Sequence, residues 1–207
     1  MMFNIQTIQT KEKCYEIYLF LSRLFYEQSQ VNHEHYYPMS DRYQELFHKF
    51  SIDQDLLYYI ENEDQEIIAA LTSKNMNIQE SSIILGMLGV RDEYRHQGLG
   101  SALVDRFEKD CIKKGISHLS LGARKEACAF YQKQHYHPEL MVQVFDFATI
   151  EDIKKANHFS LKVLNEWQDE TMGGIFFKVD DVNLEYLDWF ESQVPTASCQ
   201  FVFVKDL

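Results

Sequence analysis

The apolar positions of this chain change period along its length, and each change marks an element. Residues 3–9 alternate loosely, as a strand does. Cys14, Ile17, Tyr18, Leu21, Leu24 and Phe25 then recur three and four residues apart, the spacing of one helical face, and predict a helix over 11–28. A polar, aromatic loop over 29–40 precedes Asp41, a residue suited to cap a second helix running to 50. Segments 55–62 and 66–73 are strand-like, and the acidic turn at Glu63 and Asp64 joins them as an antiparallel hairpin. A third strand over 82–90 completes a meander.

A charged turn follows Val90, and Arg95-His96-Gln97-Gly98-Leu99-Gly100 leads directly into a helix over 100–114. Leu103, Val104, Phe107 and Cys111 mark its buried face. Lys113, Lys114 and Gly115 end it, since basic residues complement the dipole at a helix C-terminus and glycine accepts the left-handed cap. A short strand over 116–121 makes residues 82–121 a strand, turn, helix, strand unit, expected to be parallel and right-handed. Small residues at a helix start leave the first backbone N–H groups approachable, where the dipole adds partial positive charge. That is a cradle for a phosphate group. Dinucleotide and P-loop readings fail, because the third glycine of GxGxxG is replaced by Leu103 and no GK[ST] follows. A further helix over 124–134 carries Ala127, Phe130 and Tyr131.

Composition bounds the answer. A chain of 207 residues, 45% of them hydrophobic, can bury one good core plus a small annex. No stretch approaches the roughly 20 apolar residues of a membrane span, and the N-terminus lacks the basic-then-apolar layout of a signal peptide. A soluble cytoplasmic protein is expected, with no membrane partner. Cys14, Cys111, Cys128 and Cys199 are scattered without a CxxC pair, and are read as reduced, mostly core residues. The net charge of −12 excludes a broad nucleic-acid surface. Within that acidic total, residues 91–133 carry nine basic and six acidic side chains, so the glycine turn lies in a locally basic segment.

The segment LGMLGVRDEYRHQGLGSALVDRFEKDCIKKG resembles the acetyl-CoA-binding motif of the GCN5-related N-acetyltransferase (GNAT) family, whose signature is Gln or Arg, two residues, Gly, one residue, Gly or Ala. ACAFYQKQHYHP is similar to the helix that follows in that family, where a tyrosine sits near the thioester. The resemblance implies an α/β fold, a mixed and mostly antiparallel sheet with a central, splayed parallel pair. It implies a bulge in the strand before the glycine turn, so that pantetheine inserts as a pseudo-strand. Backbone groups of Leu88 and Val90 would then pair with pantetheine, while the amides of Arg95, His96, Gln97, Gly98, Leu99, Gly100 and Ser101 receive the pyrophosphate. Arg124, where many relatives have Asn, is a further candidate contact to the cofactor.

The chemistry implied by the resemblance is direct attack of an amine on the acetyl group of acetyl-CoA. A backbone N–H near Leu88 stabilises the oxyanion and Tyr131 protonates the departing thiolate. No metal is needed. Glu80, Asp92, Glu93, His118 and an ordered water are all candidate bases, and spacing selects none. His33-Glu34-His35 invites a metal reading, but histidines two apart on a loop are solvated as a rule. With Tyr36 and Tyr37 they align with the region that shapes the acceptor site in similar transferases. His135 stands where relatives usually have glycine, so it must tolerate or avoid the left-handed cap.

Residues 1–140 are assigned to the transferase domain and 141–207 to a C-terminal α+β extension. Strand 141–147, helix 150–157, strand 159–164, a turn at Gly173-Gly174, strand 175–179, helix 182–193 and strand 199–204 give the order βαββαβ. That order matches a split ferredoxin-like unit. In the other reading the last strand returns to complete the transferase sheet, and 148–198 is an insertion. The expected function is an N-acetyltransferase acting on a primary amine, either a small molecule or a protein. A homodimer is admitted, and the rival reading is a non-catalytic acyl-CoA-binding or regulatory module.

Overall fold

The computed structural model describes residues 3–29, 41–52 and 54–207. They group into two compact units, one within residues 1–119 together with Leu207, the other spanning 120–206. The nine strands are mostly antiparallel and include one parallel pair, the mixed α/β class that the sequence implies.

The first unit holds β1 (Gln6–Thr7), α1 (Lys11–Ser29), α2 (Asp41–Ile52), β2 (Tyr58–Glu61), β3 (Ile67–Asn77), β4 (Ser82–Val90) and α3 (Leu99–Lys113). Its strands run in the order β1-β2-β3-β4, all antiparallel. Ile17, Tyr18 and Leu21 of α1 meet Leu46 and Phe50 of α2 over Leu57, Tyr59 and Ala70, which is why the helical period is strictest there. Gly89 lets α1 come close to β4, because a Cβ at that position would lie 2.8 Å from Leu21 Cδ2. Ser81 O accepts hydrogen bonds from the amides of Ser117 (2.8 Å) and His118 (3.0 Å). The strand that follows α3 therefore sets off beside the start of β4, as a strand, helix, strand unit requires.

The second unit is built from β5 (His118–Ala123), α4 (Cys128–Lys133), β6 (His137–Phe145), α5 (Ile150–Ala156), β7 (Val163–Gln168), β8 (Met172–Lys178), α6 (Leu184–Gln193) and β9 (Ser198–Asp206). The strand order is β5-β9-β6-β8-β7. From β6 to β9 this is a ferredoxin-like βαββαβ unit, with β6 antiparallel to both β8 and β9 and β7 antiparallel to β8. Within this order β9 lies between β5 and β6. Phe177 of β8 stacks on Phe190 of α6 at 5.5 Å, both fully buried. Thr149 caps α5 in a reciprocal box with Asp152, whose carboxylate accepts from the Thr149 amide at 3.0 Å and hydroxyl at 2.9 Å.

Two expectations in this unit need correction. Gly173 and Gly174 do not form a turn; they lie inside β8. The turn is earlier, where the Asp169 carboxylate accepts from the amides of Thr171 (2.8 Å) and Met172 (2.9 Å). The glycines serve close packing instead, since a Cβ at Gly174 would sit 3.0 Å from the Trp167 indole nitrogen and one at Gly173 would sit 3.1 Å from Ile150 Cγ2. The strand expected over 159–164 begins later, at Val163, because Asn157 holds the preceding loop. Its side chain bonds Leu161 through both O (2.9 Å) and N (3.0 Å). His135 tolerates the left-handed cap, with φ of 64°.

Phe190→Ala removes the ring that ties α6 to the second unit. A loss of about 3–5 kcal/mol is expected, measured by urea unfolding of the full chain.

Candidate functional site

The strand leading to the glycine turn is not regular. Along β3 and β4 the register pairs Leu71 with Leu88 and Thr72 with Met87, but then Ser73 with Leu85. Gly86 is the extra residue, and β4 has a bulge there. The Thr72 side chain fills the gap in the ladder, with its Oγ1 accepting from the Met87 amide at 3.1 Å. A Cβ at Gly86 would come within 3.2 Å of that oxygen and 3.3 Å of the Thr72 carbonyl oxygen. Glycine is therefore the residue that lets the bulge close on Thr72, itself almost fully buried. Beyond the bulge Leu88 and Val90 are half-buried.

From Val90 the chain makes a short 3₁₀ turn at Asp92–Tyr94 and reaches α3 through Arg95, His96, Gln97 and Gly98. His96 (φ 61°) and Gly98 (φ 88°) take left-handed backbone conformations, and that sharp bend aims the helix start. Gly98 is the N-cap, no side chain caps the helix, and its first turn carries no acid. The positive end of a 15-residue helix is thus presented at Leu99, Gly100 and Ser101. The Leu99 side chain is buried and anchors this end, so only its backbone is available to a ligand. Arg95 is exposed and folds back, with Nη2 2.8 Å from Asp92 Oδ1 and Nε donating to Val90 O at 3.3 Å. Arg91 pairs with Glu66 at 2.9 Å and Glu93 at 3.7 Å, and its hydrogen bond holds the Glu66 carboxyl below the usual range. Part of the basic excess of this segment, Arg91 and Arg95 included, is spent on internal pairs, which leaves the helix end as a source of positive potential.

In the second unit Arg124 ends β5 in extended conformation, half-buried, and its carbonyl accepts from the Ala127 amide at 2.9 Å. Tyr131 lies on α4, only 6% exposed. Phe130 packs edge-on against it at 5.0 Å, Tyr136 edge-on at 5.9 Å, and Phe203 tilted at 5.8 Å. Burial pushes its phenol well above the ordinary tyrosine range, so the hydroxyl keeps its proton at neutral pH. The structure therefore gathers Leu88, Val90 and Arg95 to Ser101 in the first unit and carries Arg124 and Tyr131 in the second. Among the candidate bases, Glu80, Asp92, Glu93 and His118 are all exposed. His33-Glu34-His35, Tyr36 and Tyr37 lie outside the described residues. Among the described residues, no group of three His, Cys, Asp or Glu side chains is arranged to hold a metal ion.

Sequence reasoning did not single out Thr72 or Gly86. A glycine in the middle of an apolar strand is the available signal for such a bulge, although the partner threonine is identified only by pairing.

A family model described as Acetyltransferase (GNAT) family matches residues 14–136. No curated protein matches the chain. Among solved structures, an acetyltransferase of the GNAT family from Staphylococcus aureus Mu50 is similar with a TM-score of 0.53, 14% identity, and coverage of 84% of this chain and 100% of that one. PaiA N-acetyltransferase from Thermoplasma acidophilum, solved in complex with coenzyme A, gives 0.50 at 16% identity, covering 86% and 100%. Naa50 from Arabidopsis thaliana, in complex with the bisubstrate analogue CoA-Ac-MVNAL, gives 0.50 at 14% identity, covering 98% and 99%. At such identities the likeness to these structures is one of fold.

Gly98→Ala is expected to destabilise the chain by about 1–2 kcal/mol in chemical denaturation, since a side chain pays for the left-handed conformation. The nearest atom to the new methyl, Phe3 Cε2 at 3.9 Å, leaves it room, so the loss reads backbone strain alone.

Proposed function

Because the chain belongs to the GNAT family of acetyltransferases, and is an acetyl-CoA-dependent N-acetyltransferase, we propose that it acetylates a primary amine by direct attack, using the residues assembled above. The observation that carries this reading is the bulge at Gly86 followed, twelve residues on, by an uncapped helix start at Gly98. The two features suit the two parts of one ligand, an amide-bearing arm and a pyrophosphate.

Acetyl-CoA supplies an acetyl group activated as a thioester. The residues present fit it. A side chain at Gly86 would crowd the bulge, and the N-cap Gly98 brings no side chain of its own to the start of α3. In our reading the backbone of Leu88 and Val90 binds the pantetheine arm. The amides from Arg95 to Ser101, namely those of Arg95, His96, Gln97, Gly98, Leu99, Gly100 and Ser101, hold the pyrophosphate, and Arg124 adds a contact. A backbone N–H near Leu88 receives the negative charge that develops on the acyl oxygen. Tyr131 gives its proton to the sulfur as the C–S bond breaks and the new C–N bond forms. Burial keeps the phenol in its neutral form, the form that carries the proton.

Residues 1–140 are read as the transferase domain and 141–207 as its extension, a division that the match over 14–136 supports. Both small amines and peptide amines are retained as acceptor classes. We also retain a cytoplasmic setting as part of this reading; among the described residues no helix is long and apolar enough to cross a membrane.

The test has two parts. Calorimetric titration with acetyl-CoA should give saturable one-to-one binding, and no binding would overturn the reading. Tyr131→Phe should leave that affinity unchanged while lowering kcat on an accepted amine by about 10²-fold or more, the range for loss of a general acid. Unchanged kcat would remove Tyr131 from the mechanism and leave the cofactor site standing.

A further inference from the structure

Among the described residues four polar or charged side chains are buried: Ser22, Lys49, Thr72 and Ser73. Two of them are consecutive in β3, and the register shift between β3 and β4 falls between those two. Neighbours in a strand point to opposite faces of the sheet. On one face Ser73 Oγ donates to the Leu56 carbonyl at 3.0 Å; on the other Thr72 Oγ1 accepts from the Met87 amide at 3.1 Å. A buried hydroxyl costs free energy unless it is bonded, and each of these is bonded to the backbone of a neighbouring segment.

The two bonds differ in what they hold. Ser73 ties β3 back to the segment ahead of β2, whereas Thr72 reaches across to β4 at its irregular point. Residues opposite each other in register share a face, so Ser73 with Leu85, Leu71 with Leu88 and Ala69 with Val90 place Leu85, Leu88 and Val90 on one side. In an unbroken strand Leu85 would share its side with Met87 and Gly89 instead. The extra residue at Gly86 therefore inverts the facing of the rest of β4, backbone amides included. Thr72 Oγ1 is the acceptor that meets the Met87 amide at that inversion, one residue before Leu88.

We propose that Thr72 is a positioning residue of acetyl-CoA binding. Its hydroxyl holds the bulge in the one register that turns the backbone of Leu88 and Val90 to the pantetheine arm. The proposal rests on the transferase reading above and deepens it by naming a side chain that controls a backbone site. Thr72 itself is almost fully buried, touches no reacting atom and takes no part in acetyl transfer. Ser73, equally buried and equally bonded, has no such role, because its partner lies outside β4.

The experiment compares the full chain with Thr72→Val, Thr72→Ser and Ser73→Ala. Valine keeps the branched shape and removes the acceptor, serine keeps the acceptor, and Ser73→Ala removes a buried bond of the same kind without freeing the Met87 amide. Acetyl-CoA is titrated by calorimetry, and thermal unfolding is followed without ligand on the same samples. Thr72→Val should weaken acetyl-CoA by about tenfold or more, and Thr72→Ser should recover the affinity to within about threefold of the unaltered protein. Thr72→Val and Ser73→Ala should both lower Tm, but Ser73→Ala should leave the affinity in place. Gly86→Ala, which brings a Cβ within 3.2 Å of Thr72 Oγ1, should weaken acetyl-CoA as Thr72→Val does, and decides the matter if the valine variant does not fold. Undiminished affinity in Thr72→Val, or in Gly86→Ala where the valine variant does not fold, overturns the proposal. So does a serine variant as weak as the valine one, or a loss in Ser73→Ala that matches Thr72→Val at equal Tm. Failure of the transferase reading shows separately, as a flat titration of the unaltered protein.

Discussion

The hydrogen bond from the Met87 amide to Thr72 Oγ1 is a small interaction on which the shape of β4 ahead of the glycine turn depends. An interior strand owes its neighbours a backbone bond at every second residue, and a bulge breaks that debt by one. Here a threonine hydroxyl on β3 meets the displaced amide, so the extra residue leaves no buried donor unsatisfied at this point. Gly86 completes the arrangement by bringing no Cβ toward Thr72. The bulge in turn changes which side of β4 each later residue occupies, and so sets how Leu88, Gly89 and Val90 are presented. Gly89 faces inward under Leu21 and Leu24, which fixes α1 against the strand and holds the reshaped segment in place.

The glycine turn shows a second economy. Its charged residues mostly pair with one another, Arg95 with Asp92 and Arg91 with Glu66 and Glu93. These are exposed pairs and add little to stability. Their effect is to shape the turn and to leave the attraction for an anion concentrated at the helix end, where several amides point the same way.

The second unit uses β6 as its centre, with β9 on one side and β8 on the other. Both outer connections of the βαββαβ unit cross on the same face, where Leu140, Val142 and Val144 of β6 are fully buried. Thr196 clasps the end of β6, its hydroxyl donating to Phe145 O at 2.6 Å and accepting from Phe145 N at 3.2 Å. That clasp closes the far end of the strand pair where β9 begins.

The local signals in the sequence were enough for α3, whose start, buried face and basic end are each specified within a few residues. They were enough, too, for the strand, turn and helix that carry the GNAT motif, because phosphate binding at a helix start is a property of consecutive backbone groups. Where sequence reasoning went astray, the cause was distance along the chain. Gly173 and Gly174 look like a turn until Trp167 and Ile150 are found to occupy the space their side chains would need. The bulge at Gly86 exists only as a relation between β4 and β3, closed by the bond between Met87 and Thr72, fifteen residues apart. Glu139 reads as an ordinary strand residue, and only the pairing of β6 with β8 and β9 sets it opposite Lys178 and Val202. Periodicity and capping are decided by neighbours in sequence. Register, and with it the identity of the face each residue occupies, is decided by strands that meet only in the folded chain.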